Sequence, residues 1–102
     1  MASVTGFIER LEKRIAPDAT LSQAEEWWSL ALTIGSSLER DDESSGEEKA
    51  ASHRLLWAVS AAVRAVKRFE RPDQAAIHSV LASLERSVRD RPSEGNRAAL
   101  PN

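Results

Sequence analysis

Few side chains in this sequence are able to do chemistry, and none is spaced for a recognisable reaction. The two histidines, His53 and His78, lack the HExxH spacing and the Glu-x-x-His pairs with which helices hold zinc or di-iron centres. Glu25 and Glu26 are adjacent, so on a helix they point about 100° apart and are poorly placed to share one substrate. The four glycines are isolated and cysteine is absent, which excludes a glycine-rich phosphate loop, thiolate catalysis and Cys-ligated metals. We therefore expect a protein that is not an enzyme and that uses no metal or other cofactor.

One short run resembles a known chemical motif. Residues 52–57, SHRLLW, are similar to the phosphoacceptor helix of histidine phosphotransfer domains, which are themselves helical bundles. The resemblance implies phosphorylation of His53 as an alternative function. The run departs from that family at Leu56 and Trp57, where the family places a lysine and a glycine that neutralise the phosphoryl charge and leave the imidazole accessible.

The elements that must position any site are helices, because apolar residues recur at helical spacing and no segment alternates as a strand would. We predict helix 1 from Val4 to Ile15, helix 2 from a cap at Thr20 or Ser22 to Glu39, helix 3 from Glu47 to Glu70, and helix 4 from Pro72 to Arg91. Ser45 and Glu48 have the spacing of a capping box at the start of helix 3. Short connectors favour a small antiparallel all-α bundle of about four helices, with helix 1 short and helices 2 and 3 longer.

The length of 102 residues fits one domain. We place that domain in residues 1–91 and expect a disordered tail over residues 92–102. Apolar stretches are short and residues 1–15 lack a signal-peptide pattern, so we expect a cytoplasmic protein that does not span a membrane. Arginine outnumbers lysine 11 to 3 and alanine occurs 16 times, which we associate with a GC-rich bacterial or phage genome.

The apolar stripes also predict the core. Helix 2 has an apolar arc of about 200°, wide enough to touch two neighbours, with small residues at its centre and Trp27 and Trp28 on either side. We expect both of these indoles to be structural. On helix 3 the predicted core face consists of Ala51, Leu55, Ala58, Val59, Ala62, Ala65, Val66 and Phe69.

The opposite side of helix 3 holds the most informative anomaly, because Trp57 falls among cationic rather than apolar residues. The residues on this side are His53, Arg54, Trp57, Ser60, Ala61, Arg64, Lys67 and Arg68. An uncovered tryptophan costs on the order of a few kcal/mol of hydrophobic free energy. Three alternatives would shield the ring from water: helix 1, the stems of Arg54 and Arg64, or a second protein chain.

Charge is also unevenly distributed along the chain. Residues 39–48 sum to −5 and residues 54–71 to +4. This opposition would suit a self-complementary homodimer or a partner with matching charges.

The leading hypothesis is a non-enzymatic interaction protein that binds and modulates a protein partner, as inhibitors, immunity proteins, antitoxins and adaptors do. The predicted partner-binding residues are Arg54, Trp57, Arg64, Lys67 and Arg68. The alternative is a nucleic-acid accessory protein that uses the basic face of helix 3, although the net charge of −2 weighs against it.

Overall fold

The computed structural model describes residues 4–90, and within that range the chain forms four α-helices. They are α1 (Val4–Arg14), α2 (Leu21–Arg40), α3 (Gly46–Lys67) and α4 (Gln74–Arg89). The predicted all-α fold is confirmed. The start of helix 1 at Val4 agrees with the prediction, and the other predicted helix ends lie within three residues of the observed ones. The tail predicted for residues 92–102 lies outside the described residues.

A side-chain cap begins each of the last three helices. The Thr20 hydroxyl accepts a hydrogen bond from the backbone N–H of Gln23 at 3.2 Å, and the Gln23 side chain accepts one from the N–H of Thr20 at 2.8 Å. The Ser45 hydroxyl accepts from the N–H of Glu48 at 3.0 Å, as the spacing predicted, and the Asp73 carboxylate caps α4 in the same way. These bonds satisfy N–H groups that a helix leaves unpaired at its first turn.

The helices pack in a closed ring, in which α1 contacts α2, α2 contacts α3, α3 contacts α4, and α4 contacts α1. Short connectors make consecutive helices antiparallel, and the α2–α3 pair has the most extensive contact. The residues that form the buried core come from every helix and from the connector after α1: Ile8, Leu11, Ile15, Ala24, Trp27, Ala31, Ile34, Leu38, Ala51, Leu55, Val59, Ala62, Ile77, Leu81 and Leu84.

Phe69 does not belong to this core, and its placement there by the sequence is wrong. The helix α3 ends at Lys67, and Phe69 takes the left-handed conformation with φ of 60° and is 99% exposed. Its N–H donates to the carbonyl of Val66 at 3.0 Å, and the N–H of Glu70 donates to the carbonyl of Ala65 at 2.8 Å. These two bonds form a Schellman turn, which directs the chain away from the helix axis before the phenyl ring can reach the core.

Glu48 also differs from expectation. An acidic residue in the strongly charged segment 39–48 is expected to lie in solvent, whereas Glu48 is buried, with 1% exposure. The reason is its position in the first turn of α3, beside a groove that Ser83, Arg86 and Ser87 of α4 also line.

Candidate protein-docking site

The three tryptophans lie in three different environments. Trp27 is fully buried, and its indole Nε1 donates a hydrogen bond to the backbone carbonyl of Arg14 at 3.0 Å. Trp28 is half-buried and lines a groove between α2 and α3, and Trp57 is 72% exposed at the rim of that groove. The structural role expected for Trp27 agrees with its burial, whereas Trp28 divides its surface between the core and solvent.

Neither of the intramolecular covers considered for Trp57 is in place. The helix α1 packs on α2 and α4, on another side of the ring of helices. The Arg64 guanidinium donates to the hydroxyl of Ser60 at 2.9 Å, one turn before it on the same helix. Among residues 4–90 the cation–π contact found is that of Arg10 over the ring of Phe7, at 5.7 Å, so no arginine stacks on Trp57. The indole therefore stands in solvent.

Trp57 belongs to a larger apolar patch. The groove that it shares with Trp28, Leu56 and Arg64 has a volume of about 380 Å³. Leu32, which is 44% exposed, lines an adjoining groove together with Leu56. We call the combined surface the α2–α3 face, and define it by Glu25, Trp28, Leu32, Gly35 and Glu39 of α2 and by His53, Leu56, Trp57, Ser60, Val63, Arg64 and Lys67 of α3.

Sequence spacing explains why both helices present this face. The α2 members recur at alternating intervals of three and four residues from Glu25 to Glu39, and the α3 members do so from His53 to Lys67 through Leu56, Ser60 and Val63. This spacing places side chains on one side of a helix and is the spacing along which helices pack in coiled coils. Since each helix has a separate stripe in the core, α2 and α3 have apolar groups on two sides.

Charges are separated across the α2–α3 face. Of the charged side chains that line its grooves, Glu25 and Glu39 lie on α2 and Arg64 and Lys67 lie on α3. The exception is Arg40 of α2, which lies beside Glu39. Glu25 shares one groove with Arg64 and Lys67, at the end of the face where α2 begins. The ion pairs found among residues 4–90 lie elsewhere, between α1 and α2 and within α4, which leaves these charges available to a partner.

The structure brings together three of the five predicted partner-binding residues. Trp57, Arg64 and Lys67 line the α2–α3 face. Arg54 and Arg68 are exposed but are not among the residues that line its grooves. Arg54 lies about 60° around α3 from Trp57, on the side away from α2, and Arg68 is the residue that caps the end of α3.

Four apolar residues of the face were not predicted as site residues: Trp28, Leu32, Leu56 and Val63. The signal for Trp28 and Leu32 was the wide apolar arc of helix 2, which indicated contact with two neighbours. The helix α2 does contact two neighbours, α1 and α3, but Trp28 stays partly exposed and Leu32 exposed at the edge of the arc. Leu56 gave no comparable signal, because leucine next to a core position is common.

Only one of the two histidines belongs to the α2–α3 face. His53 is exposed within the α2–α3 face and His78 is exposed on α4. In the part of the chain that the structure describes, no group of three or more histidine and acidic side chains is placed to hold a metal ion. None of the described helices has both the length and the apolar character needed to cross a bilayer.

No protein-family model, curated protein or solved structure matches this chain, and its function is therefore inferred from the α2–α3 face itself.

Proposed function

We propose that this chain is a non-enzymatic binding protein that docks on a protein partner through the α2–α3 face and thereby modulates that partner. The observation that carries the proposal is the 72% exposure of Trp57 beside the half-buried Trp28 and Leu56. Burying a large apolar side chain rather than leaving it in water contributes roughly 1.5 to 3 kcal/mol. Docking on the α2–α3 face would recover this free energy.

The composition of the face supports a protein partner. Tryptophan and arginine are enriched among the residues that dominate interface energetics, and here Trp57 and Arg64 line the same groove. The charged groups of Glu25 and Lys67 lie beside the apolar centre, in the arrangement of a polar rim around an interface core. The face lies on two long, packed helices, so it is preformed and needs little ordering on binding. Such a binding protein could act as an inhibitor, immunity protein, antitoxin or adaptor.

The test compares the proteins that tagged variants retain from an extract of the source cells, quantified by mass spectrometry. We expect Trp57→Ala to remove the specifically retained partner, while the helical circular dichroism and the melting temperature stay close to those of the unchanged protein. Phe69→Ala is the matched control, because it removes an even more exposed aromatic ring that lies off the α2–α3 face. Equal retention by the Trp57→Ala variant and the unchanged protein would contradict the proposal.

One observation favours nucleic acid as a second candidate partner. Arg54, Arg64, Lys67 and Arg68 are all exposed along α3 and its end. Against this, the α2 side of the same face presents acidic side chains, which repel phosphate. A gel-shift experiment separates the two: complexes with DNA or RNA that weaken steeply with added salt would support this alternative, and no complex at low salt would remove it.

A further inference from the structure

We infer that the partner seated on the α2–α3 face is a second copy of this chain, bound about a two-fold axis that runs parallel to α2 and α3. The inference rests on the proposed docking function, because it names the occupant of the same face. Three features carry it: the geometry of two antiparallel helices, the separation of charge across the face, and the area that the face offers.

Geometry allows two simple ways for the face to pack on itself. An axis parallel to the helices places α2 of one copy over α3 of the other, so that every neighbouring pair of helices is antiparallel, as in a four-helix bundle. An axis across the helices places α2 over the α2 of the other copy and α3 over α3. In the first arrangement, a residue of one copy lies at the same height along the helix axis as the same residue of the other copy. In the second arrangement the heights are reversed.

Charge distinguishes the two arrangements. In the first, Glu25 lies opposite the basic turn of the partner subunit that contains Arg64 and Lys67, since all three side chains line one groove at this end of the face. The two-fold axis makes this favourable contact twice. In the second, Glu25 lies towards Glu39 of the partner subunit, and acidic side chains oppose each other. Arg40 also lines this end of the groove and partly offsets Glu39, so Glu25 is the acid that decides between the arrangements.

The first arrangement also covers the exposed indole. Trp57 projects from α3 at a level between Trp28, with which it shares a groove, and Leu32, which lines the adjoining one. When α2 of the second copy lies over α3, Trp57 packs against Leu32 of the partner subunit. The apolar residues at the centre of the face are then covered by the same residues of the second copy.

The area of the interface indicates how tightly two copies are expected to bind. The face extends over 15 residues of each helix, from Glu25 to Glu39 and from His53 to Lys67, so it is about 22 Å long, and each helix is about 10 Å wide. The pair offers about 440 Å² per copy and about 880 Å² in total, which is the size of a weak, reversible interface. We therefore expect a reversible dimer with a dissociation constant on the order of 100 µM.

The test is analytical ultracentrifugation of the full chain over about 1 µM to about 1 mM. The unchanged protein is expected to pass from one chain to two as its concentration rises. Glu25→Lys and Lys67→Glu, each alone, place like charges together twice per dimer and should each weaken self-association at least about tenfold at low salt. Glu9→Lys, an equal charge reversal at an exposed position of α1, is the control and should leave the dissociation constant unchanged.

An equimolar mixture of the Glu25→Lys and Lys67→Glu variants is the decisive sample. In a dimer of one variant with the other, both contacts pair opposite charges, so the mixture should dimerise as the unchanged protein does. The double variant Glu25→Lys/Lys67→Glu should also recover. Changes confined to one chain's own fold cannot be rescued by mixing, and circular dichroism verifies that each variant is helical.

A chain that stays monomeric at the highest concentration, or a mixture that is not rescued, overturns the inference. The proposed function is tested separately, by retention. It stands if the chain stays monomeric but retains a different protein that the Trp57→Ala variant does not retain. Both proposals fail if Trp57→Ala changes neither dimerisation nor retention.

Discussion

The indole Nε1 of Trp27 lies 3.0 Å from the backbone carbonyl oxygen of Arg14 and donates a hydrogen bond to it. Arg14 is the last residue of α1, where carbonyl groups have no partner within the helix. A buried ring of α2 therefore closes the end of α1 and fixes the corner between the two helices. The exposed side chains of Arg14 and Glu26 pair across the same corner.

We expect Trp27→Phe to lower the free energy of unfolding by about 1 to 3 kcal/mol, since the substitution replaces a fully buried indole and removes its hydrogen bond to the Arg14 carbonyl. Urea denaturation followed by circular dichroism measures this loss. Trp28→Phe is the control, because Trp28 is half-buried and its indole makes no hydrogen bond within residues 4–90. Equal losses in both variants would show that the bond to Arg14 contributes nothing.

Phe69 offers a substitution that should stabilise the fold. Its left-handed backbone, with φ of 60°, suits glycine, and a side chain there costs about 1 kcal/mol or more. Because the ring is 99% exposed, removing it sacrifices almost no packing. We expect Phe69→Gly to raise the free energy of unfolding by about 1 kcal/mol. Phe69→Ala keeps the strained conformation and should give no such gain; a similar gain from both variants would assign the effect to the ring instead.

Gly35 lies in the middle of α2, where glycine is about 1 kcal/mol less favourable than alanine. A methyl group at this position would meet the Ser52 hydroxyl oxygen at 3.8 Å, which is an ordinary van der Waals contact. We expect Gly35→Ala to raise the melting temperature, with a gain of up to about 1 kcal/mol. Gly46→Ala, at the first residue of α3, should change stability less. A loss of stability in Gly35→Ala would mean that α2 and α3 approach more closely than this geometry indicates.

The cap at the start of α3 should also be measurable. Ser45→Ala removes the hydroxyl that accepts from the N–H of Glu48 at 3.0 Å and is expected to lower the free energy of unfolding by about 1 kcal/mol. Ser45→Asp supplies another acceptor at the same position and should retain most of the stability. If the aspartate variant is as unstable as the alanine variant, the hydroxyl does not act as a cap.

The helices and their beginnings were predictable because the signals are local. Periodic apolar residues located all four helices. Ser45 was predicted as the cap of α3, and Thr20 was one of two candidates, with Ser22, for the cap of α2. The end of α3 was not predictable in the same way, since the stop is a Schellman turn without the usual glycine. Arg71 and Pro72 gave the nearest sequence signal, three residues too late for Phe69 to be recognised as exposed.

The candidate site was predictable in part, for a geometric reason. A step of about 100° per residue places Trp57 opposite the core face of α3, and its observed exposure agrees. The same step cannot tell which side of Trp57 faces α2, because that depends on how the helices are arranged in the ring. Arg54 and Arg64 therefore looked equivalent, although only Arg64 lines the grooves with Trp57. Partner binding by these residues stays a prediction.

The graded environments of the three indoles give the chain built-in optical reporters. A water-soluble collisional quencher such as iodide can reach the emission of Trp57 while the protein is folded, whereas Trp27 is shielded until the helices separate. Loss of quenching at constant helicity would therefore report that the outer ring has been covered, and a red shift of the buried emission would report unfolding. Binding and denaturation can thus be followed separately in one unlabelled sample.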